Sequence, residues 1–168
     1  MRRLGAIVAG GASIRFKSDK ALTDFAGKPL STHAIAAVAP QGEMLVISGR
    51  NWPGYRRIDD LPAAGCGPFG RHAGALVHPL SAGIDAALSV PCDTRGVPAD
   101  LVVRLSPGPA VAASQRSIGL SSSSLAVTLI AWPSNGDTRA LCARVATTEA
   151  RKVGCGRLHN VNSLADLA

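Results

Sequence analysis

Between Ala9 and Leu22 the chain reads Ala-Gly-Gly-x-Ser-x-Arg-Phe-x-x-Asp-Lys-Ala-Leu, a loop with adjacent glycines, a hydroxyl at Ser13 and cations at Arg15, Lys17 and Lys20. Glycine has no Cβ, so its backbone can approach a ligand closely and reach positive φ without strain. Successive N–H groups in such a loop make a concave anion site, and Arg15 and Lys20 reinforce it as charges. The chemistry this suits is holding a nucleotide triphosphate. Neither the Gly-x4-Gly-Lys-Ser/Thr nor the Gly-x-Gly-x-x-Gly spacing fits this loop, which sets it apart from the commonest phosphate motifs.

Three further groups of residues have chemistry to offer. Asp93 closes the apolar run Ala86-Ala-Leu-Ser-Val-Pro-Cys-Asp. A carboxylate at the end of a buried strand is partly desolvated and needs a partner, for which a metal ion is one choice. Mg²⁺ commonly takes one or two carboxylates together with phosphate oxygens, which suits a nucleotide site. The alternative is an Asp that simply begins the turn Asp93-Thr-Arg-Gly. Asp59-Asp60 precedes the Gly/Pro-rich stretch Leu-Pro-Ala-Ala-Gly-Cys-Gly-Pro-Phe-Gly70, which leads into a helical pattern whose N-terminus favours anions; a solvated turn is the alternative. Asn160 and Asn162 flank Val161, so an extended backbone points both amides the same way, where they can meet a pterin or purine edge. Ser163 followed by Asp166 has the spacing of a capping box.

The elements that must position these residues are legible as alternating apolar runs and helical patterns, an α/β arrangement with a largely parallel sheet. Strands are expected at Leu4–Ala9, Met44–Ser48, Tyr55–Ile58, Ile84–Val90 and Pro109–Ser114, with an edge strand near Ala150–Val153. Helices are expected from Pro29 through Ala39, over Phe69–Ala82 with an interruption at Pro79, over Pro98–Leu105, over Asp137–Val145 and as a last turn at Leu164–Leu167. Ser121–Ser124 reads as a loop or the start of a helix. In open α/β sheets ligands sit beyond the carboxyl ends of the strands. Gly10 and Gly11, Ser48, Asp59 and Asp60, and Asp93 all fall at such ends, which argues for one shared site.

At 168 residues the chain fits one domain with a real core, and 46% hydrophobic with 17% charged residues excludes global disorder. A net charge of +7 calls for an anionic partner. The cations are dispersed and only 4% of residues are aromatic, so a phosphorylated small molecule is expected rather than nucleic acid. No stretch has the apolar length of a membrane span or of a signal-peptide core. Cys66, Cys92, Cys142 and Cys155 form no Cys-x-x-Cys pair and read as reduced thiols of a cytoplasmic protein.

Taken together, the four motifs resemble those of the nucleotidyltransferases, and most closely the molybdenum cofactor guanylyltransferases, over about residues 5–167. The resemblance implies a Rossmann-like three-layer α/β/α fold and transfer of GMP from GTP to molybdopterin carrying molybdenum, with release of pyrophosphate and dependence on Mg²⁺. It further implies that Arg15 and Lys20 contact the triphosphate and that Asp93 holds the metal. Ala9, Gly10, Gly11, Ser48 and Asp60 would line the nucleotide, and Asn160 and Asn162 the pterin. Transient contact with molybdoenzymes or cofactor-delivery proteins is implied too. Gly10-Gly11 favours guanine, because the related cytidylyltransferases usually have Ala-Gly there. The chain departs from the family at Lys17, where glycine is usual, at Arg71-His72, at Arg50-Asn51 and after Ser114, where a His-Pro segment is expected. Two rival readings are a nucleotidyltransferase using CTP or a sugar phosphate, and a non-catalytic nucleotide-binding adaptor in cofactor delivery.

Overall fold

The computed structural model describes residues 1–10, 19–59, 61, 74, 75, 77, 83–115, 117–122 and 150–167. Its strands are β1 (Arg3–Val8), β2 (Asp24–Phe25), β3 (Lys28–Pro29), β4 (Met44–Ser48), β5 (Arg56–Ile58), β6 (Ala86–Pro91), β7 (Thr94–Arg95), β8 (Ala110–Ala112), β9 (Gly119–Ser122), β10 (Arg151–Val153) and β11 (His159–Asn160). Besides the helices α1 (Leu30–Val38) and α2 (Leu101–Leu105) there are 3-10 turns at Lys20–Leu22, Ala39–Gln41 and Leu164–Leu167. Among the described residues a seven-stranded sheet runs β10-β8-β9-β6-β1-β4-β5, in which β9 alone lies antiparallel to its neighbours. The pairs β2–β3 and β7–β11 form two small antiparallel ribbons.

β1 is central because both of its faces are apolar. Ile7 and Ala9 pack with Ile47, Leu88, Val90 and the buried side of α1, while Leu4 and Ala6 pack with Val46, Ala87 and Ile84 on the opposite face. That is why parallel strands read as continuous apolar runs. The helical residues Ala75 and Val77 cover the second face, so the sheet lies between helical layers as the α/β/α expectation requires.

Helix α1 buries Leu30, Ser31, Ala34, Ile35 and Val38, a spacing that keeps one stripe against the sheet. It begins behind Pro29 and passes at Ala39 into the 3-10 turn Ala39–Gln41, where Pro40 has no N–H to carry the α-helical ladder further. Gln41 then ties α1 to α2. Its Nε2 donates to the carbonyls of Ala37 (2.8 Å) and Pro98 (2.9 Å), and its Oε1 accepts from the Val102 amide at 3.0 Å. Close packing of α1 on β1 depends on Gly5, where a Cβ would stand 2.7 Å from Leu45 Cδ1 and 2.8 Å from Val38 Cγ1.

The expected strands and first helix are present with small shifts at their ends. Pro98–Leu105 shortens to α2, because the Leu101 amide bonds the Pro98 carbonyl in a turn before the helix begins. One assignment needs correcting. Ser121 and Ser122 belong to β9, neither a loop nor a helix start. Pairing with β6 on one side and β8 on the other overrides the turn preference of serine. The Phe69–Ala82 helix is described only at Gly74, Ala75 and Val77, and Asp137–Val145 lies outside the described residues.

Candidate active site

The register of the sheet brings three strand ends to one level: Val8 lies opposite Ser48 on β4 and Pro91 on β6. The chain stays paired one step further. The Ala9 amide donates to the Ser48 carbonyl at 2.9 Å and the Cys92 amide to the Val8 carbonyl at 3.0 Å. Ala9 and Ser48 are buried, and Gly10 is half-buried at the mouth. Beyond these ends the candidate side chains converge.

Asp93 is the centre of that convergence. Lys20 Nζ lies 3.3 Å from Asp93 Oδ2, with both side chains mostly buried at 18% and 16% exposure. The short ribbon β7–β11 brings the C-terminal segment alongside by pairing Thr94 with Asn160, and the Val161 amide donates to the Asp93 carbonyl at 3.0 Å. With its amide nitrogen turned towards Asp93, Asn160 donates to Oδ1 at 2.7 Å and Oδ2 at 3.2 Å; the reverse orientation sets its carbonyl oxygen against the carboxylate. Asn160 and Asn162 are exposed on one side while Val161 between them is fully buried beside Leu30, the alternation an extended segment imposes.

The backbone beneath the asparagines is fixed by Asp166. Its Oδ2 accepts from the Asn162 amide (2.8 Å), the Ser163 amide (2.7 Å) and Ser163 Oγ (3.1 Å). Those bonds hold its carboxyl below the usual range. Arg95 donates to the Asp166 carbonyl and lays its guanidinium over the Phe25 ring, 3.9 Å from the centroid.

Lys20 is presented by the 3-10 turn Lys20–Leu22, capped by Asp19, whose Oδ1 accepts from the Ala21 amide at 3.1 Å. Arg50, just past the end of β4, donates to the same Oδ1 at 2.8 Å, and this bond chiefly lowers the Asp19 carboxyl against the raising effect of desolvation. Cys92 offers no nucleophile beside Asp93. Burial, assisted by the neighbouring Asp93 charge, pushes its thiol up to about 12. Among the described residues no group of three or more His, Cys, Asp or Glu could hold a metal ion.

The structure thus brings together Lys20, Asp93, Asn160 and Asn162, with Ala9, Gly10 and Ser48 at the adjoining strand ends. Gly11, Arg15, Lys17, Asp60, Gly67, Pro68, Arg71 and His72 lie outside the described residues. Asp59 is exposed and paired with Arg57 at 2.8 Å. Sequence reading missed the clasp of Arg50 on Asp19 and that of Arg95 on Phe25 and Asp166. Neither has a local signal, since the partners lie 31 and 71 residues apart.

Against known proteins, the sequence model of the family described as "MobA-like NTP transferase domain" matches residues 5–149. A molybdenum cofactor guanylyltransferase of Acidiphilium cryptum is 36% identical over 64% of this chain and 59% of its own length. Another of that name from Cereibacter sphaeroides is 32% identical over 100% of this chain and 95% of its own. The match spans under two thirds of several such relatives, including 58% of the one from Rhodobacter capsulatus. In architecture the chain superposes on a nucleotidyl transferase from Methanothermobacter with a TM-score of 0.71, covering 98% of this chain and 94% of that one at 16% identity.

Proposed function

The chain belongs to the MobA-like NTP transferase family, and from that premise we propose that it transfers GMP from GTP to molybdopterin carrying molybdenum, forming the guanine dinucleotide cofactor and releasing pyrophosphate. The observation that carries the reading is the convergence of Lys20, Asp93 and Asn160 at the ends of β1 and β6. The names of the curated relatives support the choice of GTP and of the molybdenum cofactor.

The terminal phosphate of the pterin substrate attacks the α-phosphorus of GTP, an oxygen–phosphorus bond forms, and the bond to the β-phosphate oxygen breaks as pyrophosphate leaves. The attacking phosphate is already anionic, so no strong general base is required. Rate enhancement then comes from positioning and from charges placed before the substrate arrives. Lys20 and Arg15 bind the triphosphate, the Gly10 and Gly11 amides line it beside Ala9 and Ser48, and Asp60 contributes to binding the guanosine or the metal. Asn160 and Asn162 hold the pterin.

A mostly buried carboxylate facing a strand-end mouth fits Mg²⁺, which takes a carboxylate alongside phosphate oxygens, and Asp93 would hold it. Once bound, the ion neutralises charge on the triphosphate. In the ligand-free protein Lys20 supplies the opposite charge that Asp93 requires, so both charges are held where an anionic substrate and its cation would exchange partners. No helix among the described residues is long and apolar enough to cross a membrane. The reading is completed by a cytoplasmic location and by transient contact with molybdoenzymes or delivery proteins.

The test is pyrophosphate release by the purified protein with Mg²⁺, GTP and molybdopterin, and its dependence on Lys20 and Asp93. Release that falls about 10²–10³-fold in Lys20→Met and in Asp93→Asn is expected. Greater thermal stabilisation by CTP than by GTP would overturn the guanine assignment, and absence of release would overturn the reaction.

A further inference from the structure

Arg50 follows β4, and its guanidinium is largely enclosed: the side chain is 23% exposed, and Cζ lies 5.8 Å from the centroid of the Trp52 ring. Nη1 donates to Asp19 Oδ1 at 2.8 Å, whereas Nε is buried with no acceptor among the described residues. A largely enclosed cation with an unpaired donor is costly, and a carboxylate is the partner that offsets it. The Asp19 oxygen that Arg50 holds is the one that caps the next turn through the Ala21 amide at 3.1 Å. The Asp19 carbonyl also accepts from the Leu22 amide (3.0 Å) and from Thr23 Oγ1 (3.1 Å), so that residue organises the whole turn. The turn begins at Lys20, whose ammonium reaches Asp93.

We propose that Arg50 is a positioning residue: by fixing the Asp19 carboxylate it orients the Lys20–Leu22 turn and sets where the Lys20 ammonium meets its anionic partner. Lys20 carries a flexible stem, so its placement depends on how well its backbone is held. The planar guanidinium is suited to the task, since its bond to Asp19 and its cation–π contact with Trp52 hold it from two sides. The consequence for turnover rests on the nucleotidyl-transfer reading above; the coupling of Arg50 to Lys20 does not.

The experiment compares wild type with Arg50→Met, Arg50→Lys, Asp19→Asn and the Arg50→Met/Asp19→Asn double variant. One readout is pyrophosphate release, resolved into kcat and the KM for GTP. The other is the rate of reductive methylation of Lys20 in the nucleotide-free protein, followed by peptide mass spectrometry. Arg50→Met should lower kcat by about 10- to 100-fold, the scale of a misplaced catalytic group, with much less change in KM. Arg50→Lys should recover only part of that loss, because the ammonium keeps the charge but not the planar group held over Trp52. Asp19→Asn keeps an oxygen for the Ala21 amide, and the double variant should be no worse than Arg50→Met, because both changes break one interaction. Lys20 should methylate faster in Arg50→Met. Unchanged kcat and labelling, or losses that multiply in the double variant, overturn the proposal. If wild type releases no pyrophosphate the nucleotidyl-transfer reading fails, and the labelling comparison still decides the role of Arg50. Should Arg50→Met not fold, Arg50→Lys against Asp19→Asn carries the same comparison.

Discussion

Lys20 and Asp93 are each mostly buried and 3.3 Å apart, so removing either leaves the other charge partly desolvated and unmatched by it. Lys20→Met should therefore lower the melting temperature, and adding Asp93→Asn should restore part of it, while both variants lose about 10²–10³-fold in pyrophosphate release. Differential scanning fluorimetry beside the release assay checks the two halves. Cys92 gives a second expectation. Its folded thiol titrates near 12 against an ordinary value of 9.0, so between these values the unfolded chain loses a proton that the folded one keeps. Stability is thus fully present below pH 9.0 and is lost as pH rises towards 12. The urea midpoint should fall across that alkaline window, and Cys92→Ala should flatten the fall. Asp19 works in the opposite direction, because Arg50 holds its folded carboxyl low. Its contribution is present above its unfolded value of 3.8 and disappears in more acid solution, so Asp19→Asn should flatten the acid limb of the same curve. Lys20 and Asp93 were legible as candidates from residue type and position, whereas their mutual pairing was not.

At the scale of elements, the small ribbon β7–β11 delivers the C-terminal asparagines to Asp93. Gly96, immediately after β7, has φ +72° and a Cβ there would lie 2.5 Å from the Arg157 carbonyl oxygen. Gly96→Ala should cost about 1–3 kcal/mol through strain and crowding, and should speed amide exchange at Val161. Hydrogen-exchange mass spectrometry with urea unfolding tests both. Gly5→Val, which would press α1 off the sheet, should cost a similar amount while leaving exchange in the C-terminal segment unchanged. The core strands β1, β4 and β6 were readable because burial on both faces writes a continuous apolar run. The two-residue strands β2, β3, β7 and β11 were not, since so short a pairing has no period to read. β9 was missed because Gly119-Leu-Ser-Ser122 looks like a loop until β6 and β8 flank it.

For the whole molecule, a net charge of +7 raises the local concentration of anions, yet such attraction is long-ranged and sensitive to salt. Fluorescence anisotropy should show negligible binding to duplex or single-stranded DNA at physiological salt, because dispersed cations and a chain only 4% aromatic give only weak, screened contacts. The amino-acid sequence by itself determined the alternating α/β order, the apolar strands and the placing of Gly10, Ser48 and Asp93 at their carboxyl ends, because burial and strand termination are written in neighbouring residues. It also carried the four motifs by which the family is recognised, since those are properties of residue type and spacing. Only the tertiary structure decided that Asn160, 67 positions after Asp93, lies beside its carboxylate, and that Arg50 reaches back to Asp19. Those contacts depend on strand register and on the crossing of distant segments, and no local periodicity encodes which side chains such a crossing will join.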